Sequence, residues 1–337
     1  MHTGENFHNR SMDLPDELLR GAIDIHVHAG PHLKSSPRRV DPFQAAEQAK
    51  AAGMRAIVFM DVFENSSGTA WLVKRTVPGI DLFGGIILNT SYGGLNPRAV
   101  KTAIHYGDGA RFVSFGAHST HYSASREARL VDGKPVPLKD LYPRFATEEL
   151  SRAVRIPLQD PVPPELEEIL QLIADNPNLF LNTGHVSGEE AMRLVRLAAR
   201  CGIKKVLVAS MAVDDLTFDQ QTEAARLGAY LERTNIIGTS GSVPKTHYYV
   251  EREYMYDTIV DPPKNKLNVS GIANQIRTIG PEHFILSTDY GVRSMPPPVE
   301  GMRQAIACLL DMEFSVDEIR MLTSLNPARL LGLEGGS

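Results

Sequence analysis

Short apolar runs recur along this chain, and segments with the spacing of amphipathic helices lie between them. The runs are Ala22–His28, Arg55–Met60, Leu82–Leu88, Arg111–Phe115, Leu179–Asn182, Lys205–Ala209, Ala229–Glu232 and Phe284–Thr288. Helix starts are marked by Asp41-Pro42 and Asn96-Pro97, and helix ends by Gly53, Gly202, Gly228 and Gly280. A strand, a crossover helix and a further strand make a parallel pair, and about eight such units close into a ring. The expected fold class is therefore α/β, a (β/α)8 TIM-type barrel. A doubly wound open sheet needs a glycine-rich phosphate turn after its first strand, where this chain has His28-Ala29-Gly30-Pro31-His32.

The rhythm breaks twice, over residues 116–164 and 233–266. These stretches follow the fourth and seventh runs, so they are expected as long insertions on the face of the barrel that carries active sites. The expected organisation is a mobile tail and lead-in over residues 1–20, then a single barrel domain over 21–337. Helices near Asp214–Leu227, Val269–Ile279, Val299–Asp311 and Val316–Ser324 complete the pattern.

A content of 42% hydrophobic and 22% charged residues supplies an ordinary globular core. A net charge of -5 leaves no basic footprint, which argues against nucleic acid and acidic membranes as partners. The two cysteines, Cys201 and Cys308, sit in helix-like segments outside any C-x-x-C, which fits a reduced, cytoplasmic setting. No apolar run approaches the roughly 18 residues of a membrane span. The expected partner is a small-molecule substrate, and the tyrosines of the second insertion make a homo-oligomer an open alternative.

Chemistry concentrates at the ends of the runs. On a regular strand, Asp24, His26 and His28 point one way and Ile23, Ile25 and Val27 the other, so both imidazoles reach one point. His185 follows the fifth run and Asp289 the eighth. In a barrel these ends share one rim, where three imidazoles and a carboxylate suit Zn, Mn or Fe. Beside each ligand stands a plainer reading: a strand with surface histidines, a helix-capping His185, a turn Asp289. Softer candidates line the same rim. His118 and His121 follow the fourth run as proton donors or substrate contacts. Asp24 stands where a carboxylate would orient the histidines. His32, Asp61 and Glu232 occupy loops or strand tips. Arg38, Arg126 and Arg293 offer positive charge to a substrate carboxylate, and Tyr248 and Tyr249 an apolar wall.

The Asp24-Ile25-His26-Val27-His28 stretch, with His185 and Asp289, resembles the amidohydrolase superfamily of metal-dependent barrels. Gly84-Gly85-Ile86-Ile87-Leu88-Asn89, Gly93-Gly94-Leu95-Asn96-Pro97-Arg98-Ala99-Val100, Thr183-Gly184-His185-Val186-Ser187 and Asn326-Pro327-Ala328-Arg329-Leu330-Leu331-Gly332 are similar to a branch described only as a domain of unknown function. The resemblance implies one divalent metal, zinc before manganese or iron, held by His26, His28, His185 and Asp289, with Asp289 also handling protons. Ser210 stands where the superfamily commonly has a histidine, and the fourth run ends without the lysine or glutamate that bridges two metals. Met60 and Val62 replace a lysine and histidine of the narrower branch. The implied activity is hydrolysis of an amide, ester, lactone or thioester of a small organic acid. A non-oxidative decarboxylase acting on an aromatic or unsaturated acid and a non-catalytic ligand-binding barrel remain alternatives.

Overall fold

The computed structural model describes residues 14–32, 37–234, 259–260, 268–293 and 295–333. Strands β1 (Ile23–Val27), β2 (Ala56–Phe59) and β3 (Asp81–Phe83) form one parallel sheet. A second parallel sheet runs in the order β4 (Gly85–Ile87), β5 (Phe112–Ser114), β8 (Phe180–Asn182), β9 (Val206–Val208), β10 (Ala229–Thr234) and β12 (Phe284–Ser287). β3 and β4 are the two halves of the third predicted run, broken at Gly84. A Cβ there would lie 2.2 Å from the Ser66 carbonyl oxygen, so only glycine admits that backbone. At the other seam, Asp289 N donates to His26 O and His28 N to Tyr290 O, each at 2.9 Å. These bonds return the last strand to the first. The chain is a TIM-type barrel.

β1, β2, β4, β5, β8, β9 and β12 are buried along their length, which explains why they read as nearly continuous apolar runs. Ile23, Ile25, Val58, Phe112, Phe180, Leu207 and Ile285 fill one cluster inside the ring. Their neighbours Val113, Leu181, Val208 and Leu286 pack outward with the helices, as the period of two requires. The end of the chain closes the bottom. Leu330 and Leu331 enter the inner cluster, and Asn326 Nδ2 donates to the carbonyls of Pro281 (2.9 Å) and Phe284 (2.7 Å).

One expectation is corrected, and two stretches gain detail. The sixth helix is two, Ser210–Asp215 and Phe218–Arg226, because Thr217 starts a new helix with a capping box to Gln220. Within the lead-in, residues 14–19 are helical, and Leu18 and Leu19 are buried. The first insertion has structure of its own. It contains the short helix His121–Ala124 and a hairpin of β6 (Ala128–Val131) and β7 (Lys134–Pro137). Asp132 (φ 50°) and Gly133 (φ 76°) make its two-residue turn, so Asp132-Gly133 was the missed hairpin signal. β11 (Ile259–Val260), from the second insertion, adds antiparallel to β6. No helix among the described residues is long and apolar enough to cross a membrane.

Candidate metal centre

Strict alternation fails along β1. Asp24 pairs with Ile57 but Val27 with Phe59, so three steps on β1 match two on β2. As a result Ile25 belongs to the inner cluster and Val27 to the outer one. The expectation that Asp24 aligns with the histidines is overturned. Its Oδ1 accepts from the backbone N–H groups of His26 and Thr288 (3.1 Å each), and Oδ2 accepts from Thr288 Oγ1 at 2.6 Å. Asp24 therefore ties β1 to the end of β12 and orients no imidazole. Burial pushes its carboxyl up to about 6, against the hydrogen bonds from Thr288 and His26.

The histidine-orienting carboxylate is Glu232, fully buried on β10. His26 Nδ1 lies 2.9 Å from Glu232 Oε1, which also accepts from Ser287 Oγ at 2.7 Å, while Oε2 accepts from Ser210 N at 3.2 Å. His28 Nδ1 lies 2.5 Å from the Met60 carbonyl oxygen. A carbonyl only accepts, so this nitrogen carries the proton; Glu232 selects the same tautomer in His26. Both Nε2 atoms then face Asp289 Oδ1, at 3.4 Å from His26 and 2.9 Å from His28. The donor atoms of His26, His28 and Asp289 all lie within 4.8 Å of one another. Two lone pairs and a carboxylate aimed at one spot require positive charge between them, and a divalent cation satisfies all three donors.

Without a metal, a proton on His26 supplies that positive charge, which a cation would displace. Burial would push His26 down, but Glu232 and then Asp289 and Asp24 carry it up to about 9. Burial, then the Arg38 charge, pushes His28 down. Burial would raise Asp289, yet His26 and His28 hold it well below the usual carboxylate range. Asp289 has a φ of +58°, a left-handed conformation that aspartate tolerates better than most residues. It directs this carboxylate across the seam.

His185 stands beside the triad and is not one of its three converging donors. Its ring meets that of His118 edge-on at 5.4 Å, and its charge reaches Asp289. Gly184 allows this turn: a Cβ there would come within 2.3 Å of Gly116 O. His118 Nδ1 lies 3.3 Å from Glu127 Oε1, a buried carboxylate that sequence reasoning missed because only the hairpin fold brings it inward.

Other candidates are placed apart from the triad. His121 opens its short helix and feels Arg155, Glu190 and Lys139, not the triad. Ser210, at the position of the expected histidine, supports Glu232 through its N–H and accepts from Thr234 N through its hydroxyl. His32 packs on Phe63, with centroids 5.2 Å apart. Asp61 Oδ1 accepts from the N–H groups of Phe63 (2.6 Å) and Glu64 (3.2 Å), an Asx turn, and burial pushes its carboxyl up to about 6. Arg126 stacks over the Tyr122 ring at 3.6 Å and Arg293 is exposed. Tyr248 and Tyr249 lie outside the described residues.

A family model described as "Family of unknown function (DUF6282)" matches residues 21–232. Among curated proteins, no match is found. Solved structures with the same fold include an organophosphorus hydrolase from Deinococcus radiodurans, 15% identical, with a TM-score of 0.54 over 94% of each chain. A beta-aspartyl dipeptidase from Fervidobacterium islandicum is 16% identical, with a TM-score of 0.52 over 92% of this chain and 72% of that one. An amidohydrolase from Burkholderia multivorans is 11% identical, with a TM-score of 0.51 over 92% and 99%. At these identities the likeness is one of fold, and at that level it agrees with the resemblance drawn from the motifs.

Proposed function

This chain belongs to the family of unknown function DUF6282, and on that footing we propose that it is a metal-dependent hydrolase of the amidohydrolase type. The observation that carries the reading is the pinning of both Nδ1 atoms, by Glu232 and the Met60 carbonyl, which leaves both Nε2 atoms turned to Asp289. His26, His28 and Asp289 would hold one divalent cation, most simply zinc, with His185 as the nearest additional imidazole. A bound cation would supply an acidified water and a polarised substrate carbonyl.

The chain's own residues account for the rest. Asp289, whose side chain is 43% exposed at the mouth, takes the proton of the attacking water. His118 stands across the site beside His185, with Glu127 at its Nδ1, and donates to the leaving group. Glu232 keeps His26 in one tautomer throughout. The bond broken is an amide, ester, lactone or thioester of a small organic acid.

The test is the metal content of the purified protein, alongside hydrolysis of a panel of such substrates before and after chelation. The expected result is one metal per chain and activity that vanishes on chelation and returns with zinc. Activity that survives full chelation sinks the reading. Carbon dioxide as the product would move the enzyme to the decarboxylases.

A further inference from the structure

The three rim arginines differ in what they already hold. Arg126 is spent on the Tyr122 ring and Arg293 stands in solvent. Arg38 is partly buried, and its Nε is fully enclosed yet has no hydrogen-bond partner among the described residues. A guanidinium in that state is uncommon, because each enclosed N–H forgoes the water it would bind. Its backbone is fixed. Arg38 bridges antiparallel to Val292, Arg39 N donates to Gly291 O at 2.7 Å, and Gly30 N donates to Val40 O at 2.9 Å. The loop after β1 is thus strapped to the segment that follows Asp289. That pairing sets Arg38 opposite Val292, three residues past Asp289, at the edge of the metal triad. Asp61 accepts from Phe63 and Glu64 through Oδ1 and lies beyond ion-pair distance of Arg38. An enclosed Nε–H on a fixed backbone, with no hydrogen-bond partner among the described residues, matches an oxygen of a planar carboxylate, the anion a guanidinium holds best.

We propose that Arg38 receives a carboxylate carried by the substrate itself, so that the organic acid keeps a free acid group beside the bond to be cleaved. The proposal deepens the hydrolase reading and rests on it for the meaning of the ligand as substrate. The binding site stands or falls by itself.

The test is calorimetric titration of zinc-loaded protein with acetate, succinate and benzoate, and with their neutral amides as controls. Wild type is expected to bind at least one acid more tightly than its amide. Arg38→Gln should weaken that acid about 10- to 100-fold, the worth of a charge-assisted hydrogen-bonded pair, and leave the amide unchanged. Arg38→Lys should fall between, because a point charge replaces the fork. Unchanged zinc content and melting temperature in Arg38→Gln confirm that the fold is intact. The same titration of metal-free His26→Ala protein separates the two readings. Acid binding that persists there and still depends on Arg38 supports the anchor without any metal. Equal binding of acid and amide in wild type, no binding of any acid, or acid affinity unchanged in Arg38→Gln overturns it.

Discussion

At the bottom of the barrel, Asn326 satisfies two carbonyls, Arg55 and Arg111 cap the carbonyls of Leu333 and Leu331, and Leu330 and Leu331 fill the ring. At the mouth, the corresponding space holds two imidazoles, Asp289 and the fully buried Glu232, all aimed inward. Both rims are closed by backbone hydrogen bonds and both lie on the same strands. They differ in what folding gains from them. The lower rim removes apolar surface from water and satisfies the carbonyls of Pro281, Phe284, Leu331 and Leu333, so its residues serve stability. The upper rim concentrates charge whose burial is costly, and it needs positive charge at its centre, from a proton on His26 or from a bound cation. Large charge-bearing side chains at the C-terminal strand ends and apolar ones at the other end divide chemistry from stability along a single barrel axis.

That division can be broken outright. His26→Ala and Asp289→Ala should each take bound metal from one per chain to none, by elemental analysis after dialysis, and abolish hydrolysis. The melting temperature of the metal-free variants should fall below that of metal-free wild type, because either change leaves a buried charge without its partner. Unchanged metal in either variant removes the upper rim from the chemistry. The converse substitution sits below. Leu330→Ala should cost about 2–5 kcal/mol in denaturant unfolding, the usual cost of a buried leucine cavity, while metal content stays at wild-type level. Metal loss in a folded Leu330→Ala protein would show that the rims are coupled.

A finer probe lies just beneath the triad. Glu232→Gln keeps the side chain's length but replaces the carboxylate that fixes His26's tautomer. Metal affinity should fall about 10- to 100-fold by competition with a chelator, as is common when the partner of a ligating histidine is changed. Wild-type affinity in Glu232→Gln would mean that His26 finds its orientation from packing alone.

How far these rims were legible beforehand depends on the range of the interactions that build them. The strand runs and their C-terminal residues His26, His28 and Asp289 were readable because each is marked locally, by an apolar stretch and a polar end. Asp24 was misread because the register shift between Asp24 and Val27 is set by the pairing with β2, which no pattern within β1 encodes. Glu232 was one rim candidate among several until the fold brought His26 to it across 206 residues. Glu127 was invisible because its place depends on a hairpin joined by β11, from a second insertion far along the chain. His185 lay at a correct strand end, yet the side of the mouth it occupies follows from the Gly184 turn rather than from its spacing.

The smallest expected effect tests whether the upper rim tolerates charge at its edge. Asp61 is buried, and burial pushes its carboxyl up to about 6, with the N–H groups of Phe63 and Glu64 and the Arg38 charge opposing. A folded-state value above the unfolded one means that the neutral form is preferred in the fold. Its contribution is fully favourable below about pH 4, declines as pH rises towards 6, and stays unfavourable above that. Asp61→Asn keeps an oxygen for the two N–H groups and removes the charge. It should therefore stabilise the protein by about 1–2 kcal/mol at pH 7, with the gain shrinking to nothing below about pH 4. Unfolding measured at both pH values checks the sign. A variant less stable than wild type at pH 7 would mean that the Asp61 charge, through Arg38, contributes more to the mouth than its desolvation costs, and that even the edge of this rim depends on pairing opposite charges.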